Sequence, residues 1–122
     1  MRVGGIRGAT TVEINTRESI LEAAHELLSS IMDANGLDRD DVASVVFSAT
    51  PDLDAVCPGV AARDMGWLNV ALLCTQEMYV PGSLPMCLRI LMHVNTPRAQ
   101  SELQFIYLRG ARELRPDLVK ES

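Results

Sequence analysis

The stretch NTRESILEAAHELLSSIMDANG, residues 15–36, decides the architecture. Within it Ile20, Leu21, Ala24, Leu27, Leu28, Ile31 and Met32 recur at spacings of three and four, the period of one apolar helix face. Arg17, Glu22, Glu26 and Asp33 avoid that stripe and mark the solvated side. Asn15 and Glu18 have the three-residue spacing of a capping box. Gly36 follows, and glycine accepts the left-handed conformation that stops a helix. The spacing predicts one long helix ending near Ala34.

Outward from this helix the signals are short. Val3 to Ile6 is a strand candidate that runs into Arg7 and Gly8, with a turn region at Thr10-Thr11. Val42 to Ala49, rich in β-branched and aromatic residues, reads as a strand ended by Thr50-Pro51. Pro58 suits the first turn of a short helix that Gly66 closes. Val70 to Thr75 and Cys87 to Val94 have strand length, separated by a loop bearing Pro81, Gly82 and Pro85. Leu103, Phe105 and Tyr107 alternate with Gln104 and Ile106, so a last strand is expected, then a C-terminal turn or short helix interrupted by Pro116. Five strands with one long helix and one or two short ones define an α/β or α+β sheet. One long helix covers about one face of such a sheet. The other face must be buried by oligomerisation or left exposed at a cost.

The chain has 122 residues, 48% of them hydrophobic and 22% charged, and fits a single domain over 1–122. With a net charge of −5, pI near 4.9 and no basic run, a nucleic-acid groove is not expected. No apolar stretch approaches the roughly 20 residues of a membrane span, and no signal-peptide core is visible. A soluble, cytoplasmic protein is the expectation. Residues 1–61 carry four basic and ten acidic side chains, residues 62–122 seven and six. Lys120 is the one lysine among eleven basic residues. Arginine presents a rigid fork that matches carboxylates at two points, so the bias suits an anionic ligand, although genomic GC content explains it equally well.

The usual chemical signatures are missing. Cys57, Cys74 and Cys87 are odd in number and lack CxxC spacing, which suggests neither a disulfide framework nor a zinc site. His25 and His93 have no ligand-type neighbour at metal spacing. There is no GxSxG elbow, and Gly4, Gly5 and Gly8 form no phosphate loop. What remains is a set of isolated candidates. Arg89 lies inside an apolar strand pattern, where a charge cannot stay unpaired in a dry interior; an edge or solvent-face position beside an acid is the simpler account. Glu77 ends an apolar run, a common place for a site in such sheets and equally for a solvated turn. Strand alternation puts Cys74 and Glu77 on opposite faces, so they share a pocket only if the strand ends or bulges between them. Arg7 ends the first strand beside Gly8; Arg63 lies on the short helix; Tyr107 is most simply a half-buried strand aromatic.

The run Arg7-Gly8-Ala9-Thr10-Thr11-Val12-Glu13 resembles the start of the Bacillus-type monofunctional chorismate mutases. Ser48-Ala49-Thr50-Pro51-Asp52-Leu53, Gln76-Glu77-Met78 and Leu114-Arg115-Pro116-Asp117-Leu118 match in order, and Pro58, Arg63, Arg89 and Tyr107 fall at the family's separations. The similarity covers nearly the whole chain. It implies a five-stranded mixed sheet in a homotrimeric pseudo-barrel with intersubunit active sites, and the Claisen rearrangement of chorismate to prephenate without cofactor or metal. By the same resemblance Arg89 is the cation on the ether oxygen, and Arg7 holds the enolpyruvyl carboxylate with Tyr107. Glu77 accepts the ring hydroxyl near Cys74, and Arg63 lies near the ring carboxylate. Leu114 and Arg115 belong to a C-terminal segment, from about residue 111, that orders over the ligand. Cys57 stands where the family has a pocket aromatic, and Val60 where it has a lysine. Both departures bear on affinity more than on chemistry. The competing readings are a trimeric binding protein of the same fold that has lost turnover, and the imine-deaminating proteins of similar architecture, whose pocket motifs are not found.

Overall fold

The computed structural model describes residues 1–114. Its elements in chain order are β1 (Arg2–Thr11), α1 (Arg17–Asn35), β2 (Val42–Ala49), α2 (Val60–Asp64), β3 (Ala71–Gln76), β4 (Cys87–Thr96) and β5 (Ile106–Tyr107). Short 3₁₀ turns lie at Arg39–Asp41, Gln100–Glu102 and Arg109–Leu114. The strands form one mixed sheet in the order β3-β2-β4-β1-β5. β4 runs antiparallel to both β1 and β2, whereas β3 is parallel to β2 and β5 parallel to β1.

The long helix buries Ile20, Ala23, Ala24, Leu27, Leu28 and Ile31 against one face of this sheet. On that face lie Ile6, Val45, Phe47, Leu88, Ile90, Met92 and Val94, nearly or wholly excluded from water. Each such aliphatic side chain contributes about 1.5–3 kcal/mol by leaving water. α2 packs in the same layer through Ala61 and Ala62, together with Trp67. Among the described residues no α-helix lies over the opposite face. Val3, Leu73 and Leu91 are exposed there, as the expectation of one covered and one bare face requires.

Several boundaries differ from the sequence expectation for physical reasons. The helix cap is Thr16, whose hydroxyl accepts from Ser19 N at 3.2 Å, rather than Asn15. Asn15 works across the fold instead: its Oδ1 accepts from Asp54 N and Ala55 N, and its Nδ2 donates to Asp54 Oδ1. Gly36 does end the helix, at φ 59°. β1 runs through Thr11, so Thr10-Thr11 is strand and not turn. The glycine at 8 marks close packing: a Cβ there would stand 2.8 Å from Ile31 Cδ1 and 3.2 Å from Ile106 O. β5 starts only at Ile106 because the preceding backbone is held otherwise. Asn35, fully buried at the end of α1, donates to Gln104 O and accepts from Gln104 N.

The expectation of no disulfide is overturned. Cys57 and Cys74 are bonded across a sequence separation of 17, with their Cα atoms 6.4 Å apart. Sequence spacing carried no hint of it, because the two meet only when the chain leaves β2, passes through α2 and returns as β3 alongside. Cys87 is free and buried.

Candidate active site

Cross-strand partners share a face, so the register fixes which candidates can meet. Thr75 pairs with Ser48, Ser48 with Arg89, Arg89 with Ala9, and Ala9 with Tyr107. This row crosses all five strands on the face without a helix. Arg7 pairs with Leu91 on the same face, one diagonal step from Arg89, and is exposed.

At the centre, Arg89 Nε lies 3.6 Å from Glu77 Oε1, and both side chains are 32% exposed. Glu77 is held by two contacts from β2: Ser48 Oγ donates to its Oε1 at 2.7 Å, and its own N–H donates to Ala49 O at 2.8 Å. Arg89 is therefore paired with an acid on the open face, the simpler of the two sequence accounts. The pairing is incomplete. Its Nε is buried and has no hydrogen-bond partner among the described residues, a state that costs on the order of 1–3 kcal/mol unless something accepts from it.

The SATPDL motif turns out to aim β4. Thr50 N donates to Cys87 O, Cys87 N donates to Thr50 Oγ1, and Met86 N donates to Asp52 Oδ2. These bonds fix the start of β4 two residues before Arg89. Burial pushes the Cys87 thiol up from its ordinary value, which outweighs the lowering by the Arg89 guanidinium. Cys87 thus stays a neutral thiol beside the cation.

Tyr107 is buried in a small cluster with Ala9, Cys87 and Ala111, against which Leu114 packs. Arg115 lies outside the described residues. Cys57, Cys74 and Arg63 are elsewhere: Cys74 pairs with Phe47 on the helix-covered face, and α2 lies in that layer. In one chain the expected site residues therefore fall into two groups on opposite sides of the sheet. A groove of about 590 Å³ takes in Tyr107 and Arg112 but neither Arg89 nor Glu77. Ser48 is the residue that sequence reasoning missed as a site member; period-two alternation along β2 puts it on one face with Val46 and Ser44, but nothing in sequence ties it to Glu77. Among the described residues no group of three His, Cys, Asp or Glu is placed to hold a metal ion, and no helix is long and apolar enough to cross a membrane.

Residues 3–118 match the family chorismate mutase type I, and the chain belongs to it. By that membership it is an isomerase. It is 45% identical over 119 residues to chorismate mutase AroH of Bacillus subtilis, covering 97% of this chain and 94% of the relative. It is 46% identical over 117 residues to chorismate mutase AroH of Thermus thermophilus, covering 95% and 96%. A solved chorismate mutase from Clostridium thermocellum superposes with a TM-score of 0.88 at 47% identity, covering 89% of this chain and 97% of that one.

Proposed function

We propose that the Arg89–Glu77 corner is where this enzyme rearranges chorismate to prephenate. The observation that carries the assignment is the buried Arg89 Nε, with no hydrogen-bond partner among the described residues, beside a carboxylate held by Ser48. In the rearrangement the ether C–O bond breaks as a C–C bond forms, and negative charge grows on the ether oxygen. No proton moves and no covalent intermediate forms. A protein can lower this barrier by holding the compact conformer and by aiming fixed positive charge at that oxygen. Arg89 supplies the charge, Glu77 accepts the ring hydroxyl, and Arg7 with Tyr107 holds the enolpyruvyl carboxylate.

The remaining expected residues complete the pocket from a neighbouring subunit. Arg63, Cys57 and Cys74 stand on the other side of the sheet from Arg89, so a pocket containing both groups needs two copies. The exposed Val3, Leu73 and Leu91 give those copies an apolar face to bury. We take the assembly to be a homotrimer working in the cytoplasm, with Leu114 and Arg115 contributing to substrate binding.

The test is direct. Pure protein mixed with chorismate should consume the substrate's ultraviolet absorbance with prephenate as sole product. Binding without turnover would point to the inactive, ligand-holding alternative, and light scattering showing a monomer at micromolar concentration would remove the two-copy pocket.

A further inference from the structure

The disulfide lies where the chain's covered layer meets its edge strand. Cys57 is exposed and Cys74 half-buried. Cys57 leads through Pro58 and Gly59 into α2, which carries Arg63; Cys74 lies on β3, three residues before Glu77. Gly59 N donates to Cys74 Sγ at 3.4 Å, so this attachment of the loop to β3 also runs through the Cys74 sulfur. The backbone rests directly on the bond: a Cβ at Gly59 would stand 3.1 Å from Cys74 Sγ and 3.7 Å from Cys57 Sγ. On the far face of the sheet, Glu77 is held by Ser48 and Ala49 without help from either cysteine.

We propose that Cys57 and Cys74 are a reversible redox site that sets how firmly the α2 wall is held against β3, and through it the affinity for substrate. The affinity consequence rests on the reading that Arg63 and Cys57 line the substrate pocket; the redox site itself does not. A low-molecular-weight disulfide is the oxidant. One protein thiolate attacks it and releases one small thiol. The second protein thiolate displaces the other, closing the Cys57–Cys74 bond. Two electrons pass from the protein sulfurs to the small disulfide, and its two thiols carry off the protons. In the reverse direction a small thiolate attacks the Sγ of Cys57, the more exposed residue of the pair. Cys74 then leaves as thiolate, its charge met by the Gly59 N–H, and a stabilised leaving thiolate speeds exchange. Disulfides that persist only transiently in reducing compartments are typically of this regulatory kind.

Reduction releases the loop and α2 to move, which costs ordering on each binding event but leaves Arg89, Glu77 and Ser48 in place. The change therefore appears in KM and not in kcat. The experiment equilibrates the native protein with oxidised glutathione or with dithiothreitol. Free thiols are then alkylated, the linked peptides mapped by mass, and chorismate kinetics measured in each state. The oxidised sample should yield a Cys57–Cys74 linked peptide with Cys87 unlinked, and dithiothreitol should return both thiols. KM should rise roughly threefold to tenfold on reduction, with kcat within about twofold. In Cys57→Ser, KM should no longer respond to the redox buffer. The proposal is overturned if no linked peptide forms in oxidised glutathione, or if KM is the same in both states. A protein inert toward chorismate in both states would instead sink the functional reading, and the peptide map would still report on the cysteines.

Discussion

Ser48 and Arg89 face each other across β2 and β4, and both address the same atom, Glu77 Oε1. The hydroxyl holds it at 2.7 Å and the guanidinium Nε stands off at 3.6 Å. The carboxylate is thus fixed by a neutral donor, and the cation keeps a buried hydrogen that no acceptor among the described residues takes.

That division of labour makes Arg89 the sharpest test. A cation aimed at charge present only in the transition state acts on kcat more than on KM. Arg89→Ala should lower kcat by more than about 10²-fold. Arg89→Lys keeps the charge, loses the fork and should recover part of the rate. An Arg89→Ala protein that folds and assembles with wild-type kcat would leave the residue as a structural ion pair.

Ser48 is a positioning residue. Ser48→Ala removes one hydrogen bond to a charged acceptor, and kcat/KM should fall roughly tenfold. Ser48→Thr, which keeps the hydroxyl, should recover most of the loss while the melting temperature stays near wild type in both. Equal activity in wild type and Ser48→Ala would show that Glu77 needs no holding.

The pH profile separates this chemistry from acid–base catalysis. No side chain passes a proton, so kcat should be flat from about pH 6 to 9. Stability should not be flat above that range. Burial raises the Cys87 thiol, so the folded state favours the neutral form. The resulting stabilisation is fully present below the ordinary thiol value of 9.0 and is lost as pH rises toward the folded one. Denaturation midpoints should fall on that alkaline limb, and Cys87→Ala should flatten it. A bell-shaped kcat profile would argue for proton transfer.

The boundary between body and tail is testable by truncation. Ala111 is fully buried against Ala9 and Tyr107, so a chain cut after Gly110 loses part of the Tyr107 seat. A chain cut after Leu114 keeps it. The shorter of the two should melt lower, whereas the longer should fold as wild type with KM raised by loss of Arg115. An unchanged KM would remove the tail from the binding site.

How much of this was legible in sequence depended on the range of the interaction. The long helix was readable from its own apolar spacing and Gly36, and Val42 to Ala49 from its composition. β1 was underestimated because Gly8 and Thr10-Thr11 look like a turn, and only the packing of Ile31 and Ile106 shows why glycine stands there. The foreshortening of β5 comes from Asn35, which lies 69 residues from the Gln104 backbone it clamps. The Cys57–Cys74 bond and the Ser48–Glu77 contact are likewise products of strand order. The charged candidates themselves were nameable one by one, with their grouping supplied by resemblance. Their division between the two faces became visible only with the register.

The row Thr75–Ser48–Arg89–Ala9–Tyr107 borrows one residue from every strand. A slip of β4 by one position would swing Arg89 to the side of α1 and carry Leu88 or Ile90 into its place. Misregistered chains would therefore be catalytically silent, whatever secondary structure they retained. Turnover during refolding then works as a clock for the last correct strand pairing, and its appearance should trail the recovery of helical signal.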